Sequence, residues 1–520
     1  MSESSLRMSA QDAVLVVGAG IMGAGIAQIA AQAGHPVFLF DARPGAAAEA
    51  RAKLDETLTK LVAKGKLSAS AAQDTISRIE PVASLNAAAN VSIVIEAIVE
   101  KLEPKRTLFQ ELEAIVNENA ILATNTSSIS VTAIANGLRH PERLVGMHFF
   151  NPVPLMRLVE VVSGLQTSAQ VASEVYELAR AWRKVPVHAR STPGFIVNRI
   201  ARPFYAEALA LLQEAAATPA ELDACVRAAG FRMGPCELMD LIGHDTNFSV
   251  TQSVFEANFF DKRYVPSIVQ RELVDGGLLG RKSGRGFYTY PASDDKTADE
   301  AATPRAATIT RAGSVVVHGS GPMADRLAAA ATRILAPQQL APTRQPSSTW
   351  IGLDIDGARL ALTDGRPAFV VAASTGIDDV AVFDWPLAAE GASGPARLAY
   401  AVSLSARPTW QAEAASWLAA MNFVPVPVAD APGLIVARTL CMLVNEAADA
   451  VQQGVCTTDG ADVAMKLGVN YPAGPFEWLE AWGASRIVAV IQALDEAYRG
   501  ERYRVSPWLR RACQKMPPGA

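Results

Sequence analysis

The sequence predicts an α/β protein in which a doubly wound parallel sheet comes first and an all-α region follows. Three observations predict this class. Apolar, mostly β-branched segments alternate with helical segments up to about residue 190, the alternation stops after Ser191, and the helical region is repeated towards the end of the chain. Between the two helical copies we expect a degenerate α/β segment.

The first predicted strand leads directly into a glycine fingerprint. Val14–Val17 is a short apolar run typical of a strand buried on both faces, and Gly18, Gly20 and Gly23 follow it before an Ala/Ile/Gln run with helical spacing. Such glycines permit a tight turn, close approach of backbone to a pyrophosphate, and close packing of helix on strand. The pattern predicts a Rossmann-like dinucleotide site; the alternative is a glycine-rich turn that serves packing alone.

An acid follows the second predicted strand, Pro36–Phe40. Asp41 lies about 20 residues after the glycines, where a carboxylate accepts hydrogen bonds from ribose hydroxyls. A carboxylate also repels a 2′-phosphate, which favours NAD over NADP. Arg43 leaves tolerance of NADP open, because an arginine can bind that phosphate.

Two more predicted strands, Val91–Ala97 and Ala120–Thr124, flank a helix at Lys105–Val116. The strand ends after Ala97 and Thr124 fall at the carboxyl edge of the sheet, beside the glycine loop, where ligands bind in such folds. Four polar side chains follow these two ends: Glu100, Lys105, Ser127 and Ser128.

The segment from Ala46 to Lys64 is predicted to be a helix. Thr57, Lys60, Lys64 and, just beyond the helix, Lys66 recur on or near one face. A row of charges is usually a solvated surface, and the functional alternative is a cationic edge for an anionic substrate tail.

The stretch Met147–Val162 predicts a strand, a proline-forced turn and a second strand. His148 ends the first of these strands and Glu160 lies in the second, so a hairpin-like return would bring the two side chains together. A carboxylate on one imidazole nitrogen fixes the tautomer and raises the basicity of the other nitrogen. The pair is therefore a candidate catalytic dyad, although a lone histidine is more often structural.

Beyond Ser191 the pattern is helical. Thr192–Arg199 is predicted to open a long helix with proline near its start, and Asn198, one turn inside, is either an internal hydrogen-bonding group or a donor to a substrate carbonyl. The middle of the chain holds short apolar runs such as Val315–Val317, Ala368–Val371 and Val380–Phe383, without a working phosphate loop. The predicted segments are a dinucleotide-binding domain (1–190), a helical substrate or dimerisation domain (191–290), a linker (291–313), a degenerate α/β domain (314–425) and a second helical domain (426–520).

The helical domain is duplicated. Asp430–Arg438 matches Ser191–Arg199, Ala473–Glu477 matches Met233–Glu237, and Glu446 and Gly483 fall where Glu207 and Gly243 fall. The second copy has Ala437 in place of Asn198, so we interpret it as structural. We hypothesise that a pair of helical domains within one chain replaces a symmetric dimer. A homo-oligomer of the whole chain remains an alternative.

Composition excludes several classes of protein. The chain has 520 residues, a formal net charge of −5 and no basic tract, which argues against a nucleic-acid partner. Its five cysteines are scattered without a CxxC, which gives no metal framework and fits a reducing compartment. Residues 1–12 lack the apolar core of a signal peptide, and no apolar run approaches the ~20 residues that cross a bilayer. We therefore expect a cytoplasmic protein with no membrane partner.

The motifs resemble those of the 3-hydroxyacyl-CoA dehydrogenases, strongly over residues 13–290 and again over about 426–520. The layout of the chain looks like the long bacterial forms, some of which act on 3-hydroxyadipyl-CoA in phenylacetate breakdown and others on 3-hydroxybutyryl-CoA. The motifs that carry the resemblance are Gly18–Ala27, Glu96–Glu100, Asn125–Ser128, His148–Pro154 and Gly280–Tyr288.

The resemblance implies roles for matching positions. His148 is implied as the general base, Glu160 as its orienting partner, and Ser127 and Asn198 as groups that hold the substrate's oxygens. The positions implied at the NAD site are Gly18, Ala19, Gly20, Ile21, Met22, Gly23, Asp41, Ala97, Glu100, Lys105, Ser127, Asn151 and Lys282. The positions implied at coenzyme A are Thr57, Lys64 and Ser127, with Thr57 standing where the family has a serine.

The implied function is NAD-dependent oxidation of a (3S)-3-hydroxyacyl-CoA to the 3-oxoacyl-CoA in fatty-acid or aromatic-acid catabolism. The sequence leaves the acyl chain, the direction of flux and the oligomeric state open. Two alternative functions remain open: an NAD-dependent β-hydroxyacid dehydrogenase that uses no CoA, and a non-catalytic NAD-binding relative.

Overall fold

A computed structural model describes residues 8–290, 313–387 and 395–515. The chain forms two compact units, of which the first comprises residues 1–199 and 450–469 and the second comprises residues 200–449 and 470–520. The predicted linker at 291–313 lies outside the described residues except for Gly313. In the part of the chain that the structure describes, no helix is both long and apolar enough to cross a membrane.

The first unit contains the predicted doubly wound sheet. Its eight strands run in the order β3-β2-β1-β4-β5-β6-β7-β8, and neighbours are parallel except for the antiparallel pair β6 and β7. The strands are β1 (Val14–Val17), β2 (Val37–Phe40), β3 (Ile79–Pro81), β4 (Ile93–Glu96), β5 (Ile121–Thr124), β6 (Leu144–Phe149), β7 (Leu158–Ser163) and β8 (Val185–Arg190).

Helices cover this sheet and bury its apolar side chains. The β1, β4 and β5 strands are buried along their whole length, as the continuous apolar runs predict. The helices of the first unit are α1 (Ile21–Gln32), α2 (Ala46–Ala63), α3 (Ala69–Ser77), α4 (Leu102–Ile115), α5 (Val131–Ala135) and α6 (Ala169–Ala181), with α7 (Val197–Ile200) at its end.

The prediction of one long helix that opens at Thr192–Arg199 is wrong. A turn with left-handed Gly194 (φ 77°) and Phe195 (φ 46°) precedes the short α7, and α8 begins separately at Arg202. Pro203 has no N–H to donate to a preceding turn and its ring clashes with a continuing helix, so the helix must restart there. The second copy has Met442 at the matching position, and its helix α16 (Val436–Gln452) is continuous.

The second unit contains most of both helical copies. Its first-copy helices are α8 (Arg202–Gln213), α9 (Pro219–Ala228), α10 (Pro235–Ile242), α11 (His244–Ala257) and α12 (Ile268–Asp275). Its second-copy helices are α16, most of which lies in this unit, α18 (Pro475–Trp482), α19 (Ala484–Tyr498) and α20 (Pro507–Lys515). The copies repeat local details. Helices α10 and α18 each begin with proline, and in each the carboxylate of the third residue, Glu237 or Glu477, accepts a hydrogen bond from the backbone N–H of the N-cap glycine.

A buried acid of the first copy is bound by cations of the second. Glu207 is fully buried and accepts hydrogen bonds from Arg438 Nε (2.8 Å), Arg502 Nη2 (3.0 Å) and the hydroxyl of Tyr503 (3.0 Å). Burial alone would raise the pKa of Glu207, but the charges of Arg502 and Arg438 outweigh it and hold that pKa below its ordinary value.

The reciprocal contact is present as well. Glu446, which matches Glu207 in the repeat, accepts hydrogen bonds from the Tyr264 hydroxyl (2.6 Å) and Arg263 Nη1 (3.2 Å) of the first copy. Because the acid of each copy is bound by an Arg-Tyr pair of the other, the two copies meet as the halves of a symmetric dimer do.

The degenerate α/β segment forms a second sheet in the order β10-β9-β11-β12-β13-β14-β15, with parallel and antiparallel neighbours. The apolar runs at 315–317 and 380–383 are strands, whereas the run at 368–371 begins a helix. The elements are β9 (Val315–His318), α13 (Pro322–Leu335), β10 (Thr343–Gln345), β11 (Gly352–Ile355), β12 (Ala358–Leu362), α14 (Ala368–Thr375), β13 (Val380–Phe383), β14 (Ala396–Val402), α15 (Trp410–Ala420) and β15 (Phe423–Pro427).

One helix of the second copy belongs to the first unit. Helix α17 (Thr458–Gly468) packs on β7 and β8, and Gly468 lies so close to Leu158 and Val197 that a Cβ there would be 2.7 Å from Leu158 Cδ2. The backbone N–H of Arg190 donates to the carbonyl of Val455 (2.9 Å) just before this helix. Two strands of the first sheet, β7 and β8, are therefore covered by a helix that follows them by more than 250 residues in the sequence.

Candidate active site

The glycine loop has the geometry that the fingerprint predicts. Gly18 has φ 103°, and a Cβ on it would lie 2.5 Å from the carbonyl oxygen of Ala97, while a Cβ on Gly23 would lie 1.7 Å from the carbonyl oxygen of Gly18. These two glycines are thus needed for the turn and for helix packing. Gly20 is different, because nothing lies within 4 Å of where its Cβ would be. The space beside Gly20 is therefore open, and a pyrophosphate needs this space to approach the start of α1 closely.

Asp41 stands at the end of β2 beside this loop. Its Oδ2 accepts a hydrogen bond from the backbone N–H of Ala19 (2.7 Å), and its Oδ1 accepts one from that of Arg43 (2.9 Å). The guanidinium of Arg43 pairs with Glu49 through two hydrogen bonds of 2.8 and 3.2 Å. Arg43 thus has an acidic partner in this structure, and the role of Asp41 in disfavouring a 2′-phosphate stays a prediction.

Polar groups converge at the carboxyl ends of β4 and β5. The ammonium of Lys105 is buried and lies 2.6 Å from Oε1 of Glu96 and 3.3 Å from Oε2 of Glu100. Oε2 of Glu96 accepts a hydrogen bond from the hydroxyl of Thr124 (2.6 Å) on the adjacent strand. Neither Glu96 nor Thr124 was predicted as a site residue from the sequence; polar residues at the last position of a buried strand are the signal that indicates them.

Glu100 organises the loop that follows β5. Its Oε1 accepts hydrogen bonds from the hydroxyl of Thr126 (2.7 Å), from the backbone N–H of Ser127 (2.8 Å) and from the backbone N–H of Ser128 (3.1 Å). Burial would raise the pKa of Glu100, but the charge of Lys105 and these hydrogen bonds outweigh it and lower that pKa. The hydroxyl of Ser127 is thereby held at the edge of the sheet.

His148 and Glu160 form the predicted dyad. They are direct cross-strand partners in β6 and β7, both are buried, and His148 Nδ1 lies 2.6 Å from Glu160 Oε2. A carboxylate only accepts hydrogen bonds, so Nδ1 carries the hydrogen and Nε2 is left as the basic nitrogen. The rings of Phe150 and Phe195 lie 4.5 and 5.9 Å from the imidazole, centre to centre. The imidazole is thus fixed by one charge and two aromatic side chains.

The other oxygen of Glu160 fixes the start of α7. Oε1 accepts hydrogen bonds from the backbone N–H groups of Ile196 and Val197, each at 3.0 Å. These are donors that a helix N-terminus leaves without a partner. Asn198 follows directly, and its Nδ2 lies 3.4 Å from the carbonyl oxygen of Ser127. One carboxylate therefore positions both the imidazole and the segment that carries Asn198.

The loop between β6 and β7 is held by a lysine that the sequence analysis missed. Lys184 donates to the carbonyl oxygens of Val153 and Met156, the latter at 2.8 Å, and burial lowers its pKa to about 8. The exposed Asn151 precedes a cis peptide bond to Pro152 in this loop. A lysine directly before a strand with apolar residues, such as Lys184 before β8, is the signal that indicates such a clamp.

Within the part of the first unit that the structure describes, no contact joins Thr57 or Lys64 to this cluster. Thr57 and Lys64 lie on and just after α2 and are exposed, and the hydroxyl of Thr57 donates to the carbonyl of Lys53 (2.8 Å). Lys282 belongs to the second unit, where its ammonium pairs with Asp245. The assignment of these residues to CoA and NAD stays a prediction.

The residues present fit a bound NAD. The open side of Gly20, the N-terminus of α1 and the carboxylate of Asp41 form the cradle for pyrophosphate and ribose. Ile21 and Val99 are large apolar side chains that stay 79% and 62% exposed at this edge of the sheet, as surfaces for flat ring systems do. With the imidazole dyad at the same edge, the fold and the site define an NAD-dependent dehydrogenase.

Comparison with known proteins agrees with this class. Three family models match the chain: the NAD-binding domain of 3-hydroxyacyl-CoA dehydrogenase over residues 13–192, its C-terminal domain over 194–290 and again over 433–519, and the reduced Rossmann-fold domain of 3-hydroxybutyryl-CoA dehydrogenase over 360–432. The chain belongs to the 3-hydroxyacyl-CoA dehydrogenase family.

Individual relatives cover the chain to different extents. A 3-hydroxyadipyl-CoA dehydrogenase from Escherichia coli is 40% identical over 498 residues, 96% of both chains. A crystal structure of 3-hydroxybutyryl-CoA dehydrogenase from Escherichia coli has a TM-score of 0.84 at 39% identity and covers 98% of this chain and 99% of that one. A probable 3-hydroxybutyryl-CoA dehydrogenase from Deinococcus radiodurans is 42% identical over 276 residues, which are 53% of this chain and 99% of that protein.

Proposed function

We propose that His148 and Glu160 carry out the proton transfer in the NAD-dependent oxidation of a 3-hydroxyacyl-CoA to its 3-oxo form. The observation that carries this proposal is the buried contact of 2.6 Å between the two side chains at the ligand-binding edge of the sheet. NAD, when bound, supplies the acceptor for the hydride that leaves carbon 3 of the substrate. The protein's own residues supply the base and hold the reacting groups.

The dyad supplies the base. Nε2 of His148 takes the proton from the 3-hydroxyl as the carbon–oxygen double bond forms. The imidazolium produced stays next to the carboxylate of Glu160, which has two backbone donors on its other oxygen. The positive charge therefore develops where a negative charge is already fixed, and no reorganisation is needed during the reaction.

Ser127 and Asn198 are proposed to orient the substrate. The loop of Ser127 is held by Glu100, and the start of α7, which carries Asn198, is held by Glu160. Donors fixed in this way can bind the hydroxyl oxygen at carbon 3 and the thioester carbonyl. Ser127 is also proposed to contact the cofactor, with the Gly18–Gly23 loop and Asp41 as its main contacts.

We propose a short-chain 3-hydroxyacyl-CoA as substrate, with the CoA moiety along the exposed lysines of α2. The named relatives that match nearly the whole chain are a 3-hydroxyadipyl-CoA and a 3-hydroxybutyryl-CoA dehydrogenase. The test is NADH formation from 3-hydroxybutyryl-CoA, 3-hydroxyadipyl-CoA and the corresponding free acids. Activity restricted to the thioesters supports the proposal; equal turnover of the free acids contradicts it.

We also propose that the second helical copy takes the place of a second subunit. In addition, we propose that the protein is located in the cytoplasm. Support for the first part is the reciprocal binding of Glu207 and Glu446 across the two copies. Support for the second is that all five cysteines are free thiols. A fragment of residues 1–290 should dimerise or aggregate because it loses this partner; a well-behaved monomeric fragment would count against the pairing.

A further inference from the structure

The second sheet has a cavity at the edge where α/β sheets bind ligands. It has a volume of about 290 Å³ and lies where β12 and β13 end, next to Thr363 and Trp385. These two strands are parallel, so their carboxyl ends open on the same edge. Ser485, Arg486 and Ala489, on one face of α19, form the opposite wall. The cavity belongs wholly to the second unit and uses none of the residues of the proposed reaction.

Arginines dominate the charge of this cavity. The residues that line it include three arginines (Arg359, Arg366 and Arg486) and a single carboxylate, Asp364. Asp364 pairs with Arg366 at 2.6 Å. Among the residues that the structure describes, Arg359 and Arg486 have no ion-pair partner. Asp354, the cross-strand neighbour of Arg359, instead accepts a hydrogen bond from the backbone of Gly357 (2.9 Å). The charge of Asp354 acts on Arg359 without a direct ion pair, and the lining as a whole is net positive.

Both of these arginines are half-buried. Nε of Arg359 is buried and has no hydrogen-bond partner, and burial lowers the pKa of Arg359 and of Arg486. A buried donor without an acceptor costs free energy that a fitting anion would recover. The guanidinium of Arg359 lies 4.2 Å above the ring of Trp350, which holds it in place beside the cavity.

The remaining walls are apolar and firmly held. Leu362, Val371, Val382 and Trp385 line the cavity. Trp385 donates through Nε1 to the carbonyl of Thr363 (3.0 Å) and is stacked on Trp482, with ring centres 4.2 Å apart. An apolar cavity with a few convergent polar groups is the usual form of a small-molecule site.

Gly365 allows the turn after β12 to pack closely against α19, the helix that carries Arg486. Gly365, in the turn after β12, has φ 98°, and a Cβ on it would lie 2.7 Å from Cα of Val490 in α19. The turn and the helix can approach this closely only because the residue is glycine. This approach places Arg486, one turn earlier in α19, beside the end of β12.

We propose that this cavity binds a small organic anion, a carboxylate or phosphate on an apolar body, through Arg359 and Arg486. The anion lies between the two guanidinium groups, and its apolar part lies against Leu362, Val382 and Trp385. Two sources share this chemistry, a nucleoside monophosphate and a short-chain carboxylate, and separate probes distinguish them.

The test is isothermal titration calorimetry of the full-length chain with AMP and, separately, hexanoate. Saturating NAD fills the nucleotide site of the first unit. Adenosine and hexanamide serve as uncharged matches. At least one of the two anions should bind and its uncharged match should not; Arg359→Gln and Arg486→Gln should each raise Kd about tenfold, the effect typical of losing one charged hydrogen bond.

Two further variants keep the test decisive. Arg344→Gln changes an exposed arginine of the same sheet outside the cavity and should bind as the wild type does. Ala489→Leu fills the cavity from α19 and should abolish binding while the chain keeps its thermal midpoint. The proposal is overturned if neither anion binds, or if the Arg359, Arg486 and Ala489 variants bind it as tightly as the wild type.

Discussion

The imidazole of His148 and the carboxylate of Glu160 face each other directly across β6 and β7, with Nδ1 and Oε2 2.6 Å apart. If this imidazole is the base, His148→Ala should lower kcat about 10²–10⁴-fold and leave NAD affinity unchanged. The measurement is NADH formation from 3-hydroxybutyryl-CoA, with NAD binding followed by calorimetry. His140→Ala removes an exposed histidine that also pairs with a glutamate, Glu142, and is the matched control. Full turnover by the His148 variant would remove it from the mechanism.

Glu160→Gln tests the partner of the base. The amide keeps the shape but not the charge that stabilises the imidazolium, so the pH–rate profile should shift and the maximal rate should fall. The profile of kcat against pH for the wild type and the variant is the measurement. An unmoved profile would make Glu160 a purely structural support of α7.

Asp41 should decide between NAD and NADP. Its carboxylate repels a 2′-phosphate, and Arg43 is occupied by Glu49. Asp41→Ser removes the repulsion, and Glu49→Gln in addition releases the guanidinium of Arg43. We expect the ratio of kcat/KM for NAD to that for NADP to fall about tenfold or more in the double variant, since one charged contact is worth that much. A ratio equal to the wild-type value would contradict this role for Asp41.

Glu100 should make the first unit sensitive to acid. Its pKa is lowered in the folded state, so its carboxylate stabilises the fold fully above its unfolded pKa of about 4.3, and this contribution is lost as the pH falls through the folded value. The unfolding midpoint in urea should be lower for Glu100→Gln than for the wild type at pH 7, and the gap should close below about pH 4. Glu111→Gln, an exposed residue of the following helix α4, should show no gap at any pH.

Glu207→Gln should destabilise the second unit strongly. The change leaves Arg438 and Arg502 without the charge that both now contact in a buried site. Removing one partner of a buried ion pair costs about 3–5 kcal/mol in the free energy of unfolding. Chemical denaturation measures this loss. Glu272→Gln, an exposed residue of α12, is the control, and a Glu207 variant as stable as that control would show that the network is dispensable.

Local patterns in the sequence predicted the parts of the fold that depend on near neighbours. Apolar runs located β1, β2, β4 and β5, and the proline turn between two strands predicted the contact of His148 with Glu160. The short β3 and the helix α3 before it were not predicted, because Ile79–Pro81 is too short to show a period. The break before α8 was not predicted, although Pro203 in the following turn is a residue that interrupts a helix.

Contacts between distant segments were beyond such patterns. Asp384, at the end of β13, accepts hydrogen bonds from the backbone N–H groups of Ile435, Val436 and Ala437, as Glu160 does at the start of α7. Nothing near Asp384 in the sequence indicates this, because its partners lie in the next domain. The second half of the chain thus keeps the acid that caps the helix, and its Ala437 stands where the first half has Asn198.

The docking of α17 on β7 and β8 has a consequence during synthesis. The ribosome completes all eight strands of the first sheet long before it reaches α17, so the strand that carries Glu160 lacks its final cover until nearly the whole chain has emerged. An exposed apolar strand is prone to wrong association. Translation products that stop before α17 should therefore dimerise or aggregate, because the first sheet receives this cover only when α17 is made.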